Sequence, residues 1–323
     1  MRRLIRSLGL TLVLLVVVAS PVFACAGLIG PSGAVNLVRT TTLAAYHNGV
    51  EHYITAFSFQ GGGGQFGSIV PLPGIPTRVE RGGDWTLQRL VRETQPLRVA
   101  VLSPEAAAKD GVRVILETKI DALEITILDG GGTAVGRWAR EHGFILPPDA
   151  PEVLDFYAAR SPIFMAARFD ADAARQRGQQ VGDGTPIHLT IPVANPWVPL
   201  RILALGKNAG DVVRADVYLL TDVTPALWPR VRRGLSVQYS AAASAELLRD
   251  LRSDKGMGWM PARGMWLTHL AINSAAADLT YDLAVDVSGR ATRVAAGFSV
   301  ALPFLALLLV GASTGTTRRR SAR

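Results

Sequence analysis

Residues 36–60 read "NLVRTTTLAAYHNGVEHYITAFSFQ". Two runs rich in β-branched and aromatic residues flank Asn48-Gly49, the pair preferred where a two-residue turn needs positive φ at both positions. The stretch predicts an antiparallel hairpin, and the turn sets its register: His47 opposite Val50, Ala45 opposite His52. Side chains alternate across a strand, so His47 and His52 fall diagonally on one face, about 7–8 Å apart, and Glu51 on the other.

The next segment, "GGGGQFG" at 61–67, satisfies G-x-G-x-x-G through Gly62, Gly64 and Gly67, with an acid further on at Asp84. A dinucleotide site needs a helix directly after such a loop, because the helix N-terminus receives the phosphates. Here "SIVPLPGIP" follows, with β-branched residues and three prolines. That composition is extended chain, so the glycines predict a loop between strands and no nucleotide or other cofactor.

Further along, "GGDWTLQRLVRE" predicts a helix capped by Asp84, with Trp85, Leu87, Leu90 and Val91 on its apolar side. "SPEAAAKDG", "GTAVGRWAREHGF", "DAPEVLDFYAARS" and "SAELLRDLRS" also predict helices. Strands are expected in "VRVILETKIDALEITILDGGG", "IFMAARFD", "TPIHLTIPV", "PLRILALG", "DVVRADVYLL" and "MWLTHLAIN". The order is mixed and many neighbours are antiparallel. The fold class is therefore α+β, mostly antiparallel sheets with several short helices, plus one C-terminal transmembrane helix.

The chain ends supply that last element. Arg2, Arg3 and Arg6 precede an apolar stretch from Leu8 to Ala19, then Pro21 and the exit Val22-Phe23-Ala24. This predicts a signal peptide over 1–24, cleaved after Ala24. Val294 to Ala312 is apolar and long enough for a bilayer core of about 30 Å. Arg318, Arg319, Arg320 and Arg323 follow it, which places a tail at 318–323 in the cytoplasm and residues 25–289 outside. The expected organisation is signal peptide, extracytoplasmic domain of one or two subdomains over 25–289, membrane helix and flanks over 290–317, and basic tail.

The formal charge of +8 at first suggests a polyanion partner. Nine of the 34 basic residues lie in the two ends, leaving 25 against 26 acidic residues in 25–289. The basicity serves targeting, and no nucleic-acid partner is expected. Cys25 is the single cysteine, so no intramolecular disulfide forms. It would be the first residue after cleavage and is the one candidate for lipidation, although Phe23 is bulky for a lipoprotein site.

Two clusters are candidates for a site. His47 and His52 have the placement to share a metal, but no third ligand is local and protein sites usually take three or four. His142, His188 and His269 stand isolated in sequence and read as hydrogen-bonded structural histidines. "GMGWMPARGMW", Gly256 to Trp266, holds Met257, Met260 and Met265 with Trp259 and Trp266. Methionine and tryptophan suit adaptable partner contacts or a lipid interface. The plainer reading is a glycine-bounded loop whose large side chains close the core. Asp170 with Asp172 reads as a solvated strand end, because a cation site needs more oxygens. No G-x-S-x-G or S-x-x-K marks a nucleophile.

The series "FGSIVPLPGIP", "VGRWAREHGFILP…APEVLDFYAAR", "PIHLTIPVANPWVPLRILAL" and "WLTHL…LTYDLAVD" resembles the domain-of-unknown-function 2330 family. Its members are bacterial, carry a signal peptide and often end in a membrane helix. The resemblance implies a bacterial envelope protein and no particular activity, so no catalytic residue is carried over. The expected function is a membrane-anchored, non-catalytic binding or scaffold module whose partner is an envelope protein, peptide or glycan. An extracytoplasmic hydrolase with residues assembled by the fold is the alternative.

Overall fold

The computed structural model describes residues 27–30, 33–34, 40–58, 65–83, 85–95, 116–176, 184–228 and 234–288. The signal peptide expected over 1–24, Cys25, Gly62, Gly64, Asp84, the helix expected at "SPEAAAKDG" and the membrane helix and tail expected after 289 lie outside them. No helix among the described residues is long and apolar enough to cross a membrane.

Three sheets form. The first has six strands: β1 (Gly27–Gly30), β2 (Gly33–Ala34), β5 (Gln65–Pro71), β7 (Leu116–Ile120), β8 (Leu123–Asp129) and β9 (Ile163–Asp170), in the order β2-β1-β5-β9-β8-β7. The second has seven: β3 (Thr40–His47), β4 (Val50–Ser58), β6 (Arg78–Arg81), β10 (Gly184–Pro192), β12 (Val212–Thr221), β14 (Leu235–Ala242) and β15 (Trp266–Ala275), in the order β14-β15-β12-β3-β4-β10-β6. A small third sheet joins β11 (Trp197–Val198), β16 (Leu283–Asp286) and β13 (Ala226–Trp228). Among the described residues β3 with β12 is the one parallel pair. The fold is mixed α+β and sheet-rich, with a few short helices.

The hairpin register is the predicted one. His47 pairs with Val50 and Ala45 with His52, and Asn48 and Gly49 both take positive φ, 51° and 81°. Gly67 sits inside β5, and a Cβ there would come within 3.0 Å of Phe144 and 2.9 Å of Ile29. Its glycine therefore lets an aromatic ring close on the strand, a packing role rather than a phosphate-binding one.

The inner faces of the two large sheets enclose one apolar layer. Val70, Leu123, Ile125 and Met165 meet Tyr53, Leu189, Val217 and Leu270 there. Outside the six-stranded sheet lie α2 (Gly131–Glu141) and α3 (Ala150–Ala158), which bury Val135, Trp138, Val153, Leu154 and Tyr157 against Ile69 and Phe164. Outside the seven-stranded sheet lie α1 (Thr86–Thr94) and α5 (Ala245–Ser253) with residues 254–265. Leu247, Leu248 and Leu251 repeat at helical spacing on α5, and Ser244 caps it by accepting from the Leu247 N–H. A short α4 (Ala171–Gln176) begins where the Asp170 carboxylate accepts from the amides of Asp172 and Ala173. The Asp170–Asp172 pair is thus a helix start.

"PLRILALG" was expected to be a strand. It is instead a 3-10 turn over Arg201–Ala204. The reason is long-range: Asp282 Oδ1 accepts from the Leu200 and Arg201 amides at 2.9 and 3.1 Å, and the Ile202 amide donates to the Tyr157 hydroxyl at 2.8 Å. Tyr157 in turn donates to Asp282 at 2.7 Å, and Arg160 completes the joint at 3.0 Å.

Candidate functional site

Sheet register brings together residues that lie far apart in the chain. On the outer face of the seven-stranded sheet, His188 of β10 stands directly opposite Glu80 of β6. It stands diagonal to His52 of β4, whose direct partner is Thr190. The diagonal leaves His52 Nδ1 and His188 Nε2 2.9 Å apart, one nitrogen donating to the other. His188 Nδ1 lies 3.5 Å from Glu80 Oε1. That is ion-pair reach without hydrogen-bond geometry, and the nitrogen has no hydrogen-bond partner among the described residues.

Residues 254–260 roof this pair. The Trp259 ring lies on the His52 imidazole, centroids 3.6 Å apart and planes within 2°. Gly256, at φ 77°, passes so close that a Cβ would sit 3.1 Å from His188 Nδ1. The roof is tied down by Asp254. Its Oδ2 accepts from the Trp85 and Thr86 amides and the Thr86 hydroxyl at 3.2, 2.8 and 2.7 Å. Asp254 thus caps α1 from 168 positions away, the role the sequence assigned to Asp84.

His47 sits at the rim. Its Nδ1 is 2.6 Å from Asp222 Oδ1, its Nε2 is 2.9 Å from Asn48 Nδ2, and its ring is 6.4 Å from Trp259. Both inner imidazoles are held neutral. Burial, then the neighbouring His188 and His47, push His52 down to about 3. Burial and the Arg78 charge push His188 down to about 4.

Among the described residues no group of three or more His, Cys, Asp or Glu could hold a metal ion. His52 spends Nδ1 on His188 and one ring face on Trp259, so His47 and His52 are not completed into a metal centre. The exposed Met/Trp contact surface also needs correction. Met257, Met260 and Met265 are 0%, 2% and 2% exposed. They fill the space between α1, α5 and the sheet beside Leu43, Ile54, Leu90 and Tyr218. Trp259 is half-buried, and half-buried Trp266 donates its Nε1–H to Ser240 Oγ at 2.8 Å. The plainer reading of that segment is the one the packing supports.

His188 is not isolated, and sequence reasoning missed Glu80 beside it and Asp222 beside His47. The signal that exists is the period-2 placement of His188 in "TPIHLTIPV". The pairing of β10 with both β4 and β6 is not written locally. His269 is a structural histidine: its Nε2 meets Asp216 at 2.9 Å, it stacks on Tyr218 at 4.5 Å, and it is 1% exposed. His142 bonds through Nδ1 to the Trp138 carbonyl at 2.8 Å and stacks on that indole.

With this geometry in place, comparison with known proteins gives the class. A family model described as "Uncharacterized protein conserved in bacteria (DUF2330)" matches residues 19–226. The chain belongs to that family. No curated protein matches the chain. A solved structure, that of baculovirus P35, has a TM-score of 0.39 and 10% identity, covering 76% of this chain and 95% of that one. A likeness that distant carries no functional argument.

Proposed function

We propose that this protein is an extracytoplasmic module of the bacterial envelope. Residues 1–24 export it, 290–317 hold it in the cytoplasmic membrane, and 318–323 remain inside. It acts by binding an envelope protein, peptide or glycan rather than by turnover. One observation supports the non-catalytic reading best: the polar groups that the fold gathers serve as joints between layers. Asp254 fastens the roof to α1, and Asp282 fastens Tyr157 to the 200–202 turn. Such groups have partners inside the protein and are spent on its own packing.

The experiment is topology in a bacterial host. Protease added outside the cytoplasmic membrane should digest 25–289 and spare an epitope placed after Arg323, and the mature chain should begin at Cys25. Recovery of the full chain in the soluble cytoplasmic fraction with Met1 intact would sink the reading. The His52–His188–Glu80 series favours a second reading, a hydrolase in which His52 is the base. It requires that His52→Gln abolish a turnover that a roof substitution leaves standing.

A further inference from the structure

The imidazole pair and its roof form a unit with a chemical property of its own. An N–H···N bond between two imidazoles contains a single proton. When both rings become imidazolium, both facing nitrogens carry hydrogen and the 2.9 Å contact turns repulsive. The two rings are almost out of water, His52 at 8% and His188 at 1% exposure, so neither charge is hydrated where it stands. From outside the sheet, Trp259 stacks on His52 and Gly256 passes close over His188.

We infer that residues 254–265 are an acid-released flap: protonation of both His52 and His188 drives the rings apart, lifts Trp259 and Gly256 from the sheet, and uncovers Met257, Met260 and Met265. The charged groups facing the pair decide how far the effect runs. From β6 come Glu80, 3.5 Å from His188, and Arg78, which opposes protonation of His188. From the end of β3 comes His47, paired with Asp222 beyond the end of β12. From the flap come Asp254, engaged with α1, and exposed Lys255. Glu51 faces the opposite side of the sheet. Glu80 is the one carboxylate within ion-pair reach of His188 among the described residues, and it stands on the outer nitrogen rather than between the rings. It does not relieve the repulsion across the pair.

The bond that protonation breaks joins β4 to β10 beneath the flap, and Trp259 and Gly256 rest on its two rings. The flap therefore opens while the sheets stay closed, because the layer between the sheets contains no titrating pair of this kind. What it would present in acid is a set of three thioether side chains and an indole, an adaptable apolar surface. The imidazole pair and residues 254–265 lie within the described residues, so release of the flap is independent of any membrane anchor.

Methionine oxidation reads the flap and the core in one experiment. The full-length chain in detergent is treated with dilute peroxide across the range from about pH 7 down to about pH 3, and each methionine is followed by mass spectrometry. Oxidation of Met257, Met260 and Met265 is expected to accelerate about tenfold as the pair charges. Met165, sealed between the sheets at 0% exposure, reports global unfolding and should stay at its neutral-pH rate. A His52→Gln/His188→Gln double variant, in which neither position gains a charge, should lose the acceleration. Three results overturn the inference: no acceleration, acceleration of Met165 in step with the other three, or an unchanged acid response in the double variant. If the double variant fails to fold, the wild-type comparison of Met165 with the flap methionines decides alone.

Discussion

The two outer covers of this four-layered protein are built on different physics. The six-stranded sheet is covered by α2 and α3, whose Val135, Trp138, Val153 and Leu154 pack on Ile69 and Phe164. The seven-stranded sheet is covered by two short helices and an irregular segment, 254–265. That second cover has an apolar filling of leucines and methionines, but its positioning is polar. Asp254 holds its start and the His52–Trp259 stack holds its middle. A cover fixed by helix packing depends on volume. One whose middle rests as a ring stack on an imidazole pair depends on the protonation of that pair as well. Neighbouring layers of one protein can thus answer to different variables.

The largest expected effect breaks the first cover. Trp138→Ala removes an indole that is 3% exposed and should cost about 3–5 kcal/mol, read as a fall in the denaturant midpoint. A loss under about 1 kcal/mol would mean α2 contributes little to holding its sheet. Next comes the second cover. Asp254→Ala leaves the first amides of α1 without their acceptor and should cost about 2 kcal/mol. Hydrogen exchange should rise in both 85–90 and 254–260 together. Exchange confined to one of the two segments would refute the remote cap.

The third prediction sharpens the contrast by using a group on the inner side of the same hairpin. Glu51 is fully buried, its carboxylate reached by the Trp197 amide at 3.3 Å, and burial raises its pKa to about 8. The folded value lies above the unfolded 4.5. The folded state therefore binds the extra proton, and stability falls as pH rises from about 4.5 toward 8. One proton corresponds to a slope of about 1.4 kcal/mol per pH unit. Glu51→Gln should flatten that alkaline limb in a pH series of thermal melts. The imidazole pair runs the other way. Its folded values lie below the unfolded 6.5, so its contribution is complete above 6.5 and is lost as pH falls toward 4 and below. An alkaline limb unchanged in Glu51→Gln would assign the slope elsewhere.

Much of the fold was readable from local chemistry. Asn48-Gly49 set a turn, and the turn set the register that puts His52 and Glu51 on opposite faces of β4. Helical spacing placed α2, α3 and α5, and prolines after Gly67 argued for the strand that is there. What stayed hidden was decided by partners distant in sequence. "RILA" has the composition of a strand and becomes a turn because Asp282 and Tyr157 bond its amides. The start of α1 is capped from residue 254. The site is hidden for the same reason: His52 and Trp259 were each visible alone, whereas their stacking depends on where residues 254–260 cross the sheet. His188 joins them only through the β4–β10 ladder.

The strand order of the seven-stranded sheet has a kinetic consequence. The β3–β4 hairpin is complete once residue 58 has been made, yet its flanking strands are β12, at 212–221, on one side and β10, at 184–192, on the other. Both long edges of an early, self-sufficient hairpin must wait for more than a hundred residues of chain before they are paired. Closure of such distant contacts is slow, and open strand edges template wrong pairings. A chain delivered across a membrane from its N-terminus would hold that hairpin half-sheltered for much of its passage. Stopped-flow refolding should accordingly show a hairpin signal well ahead of the burial of Trp259, and concentration-dependent losses in the interval between them.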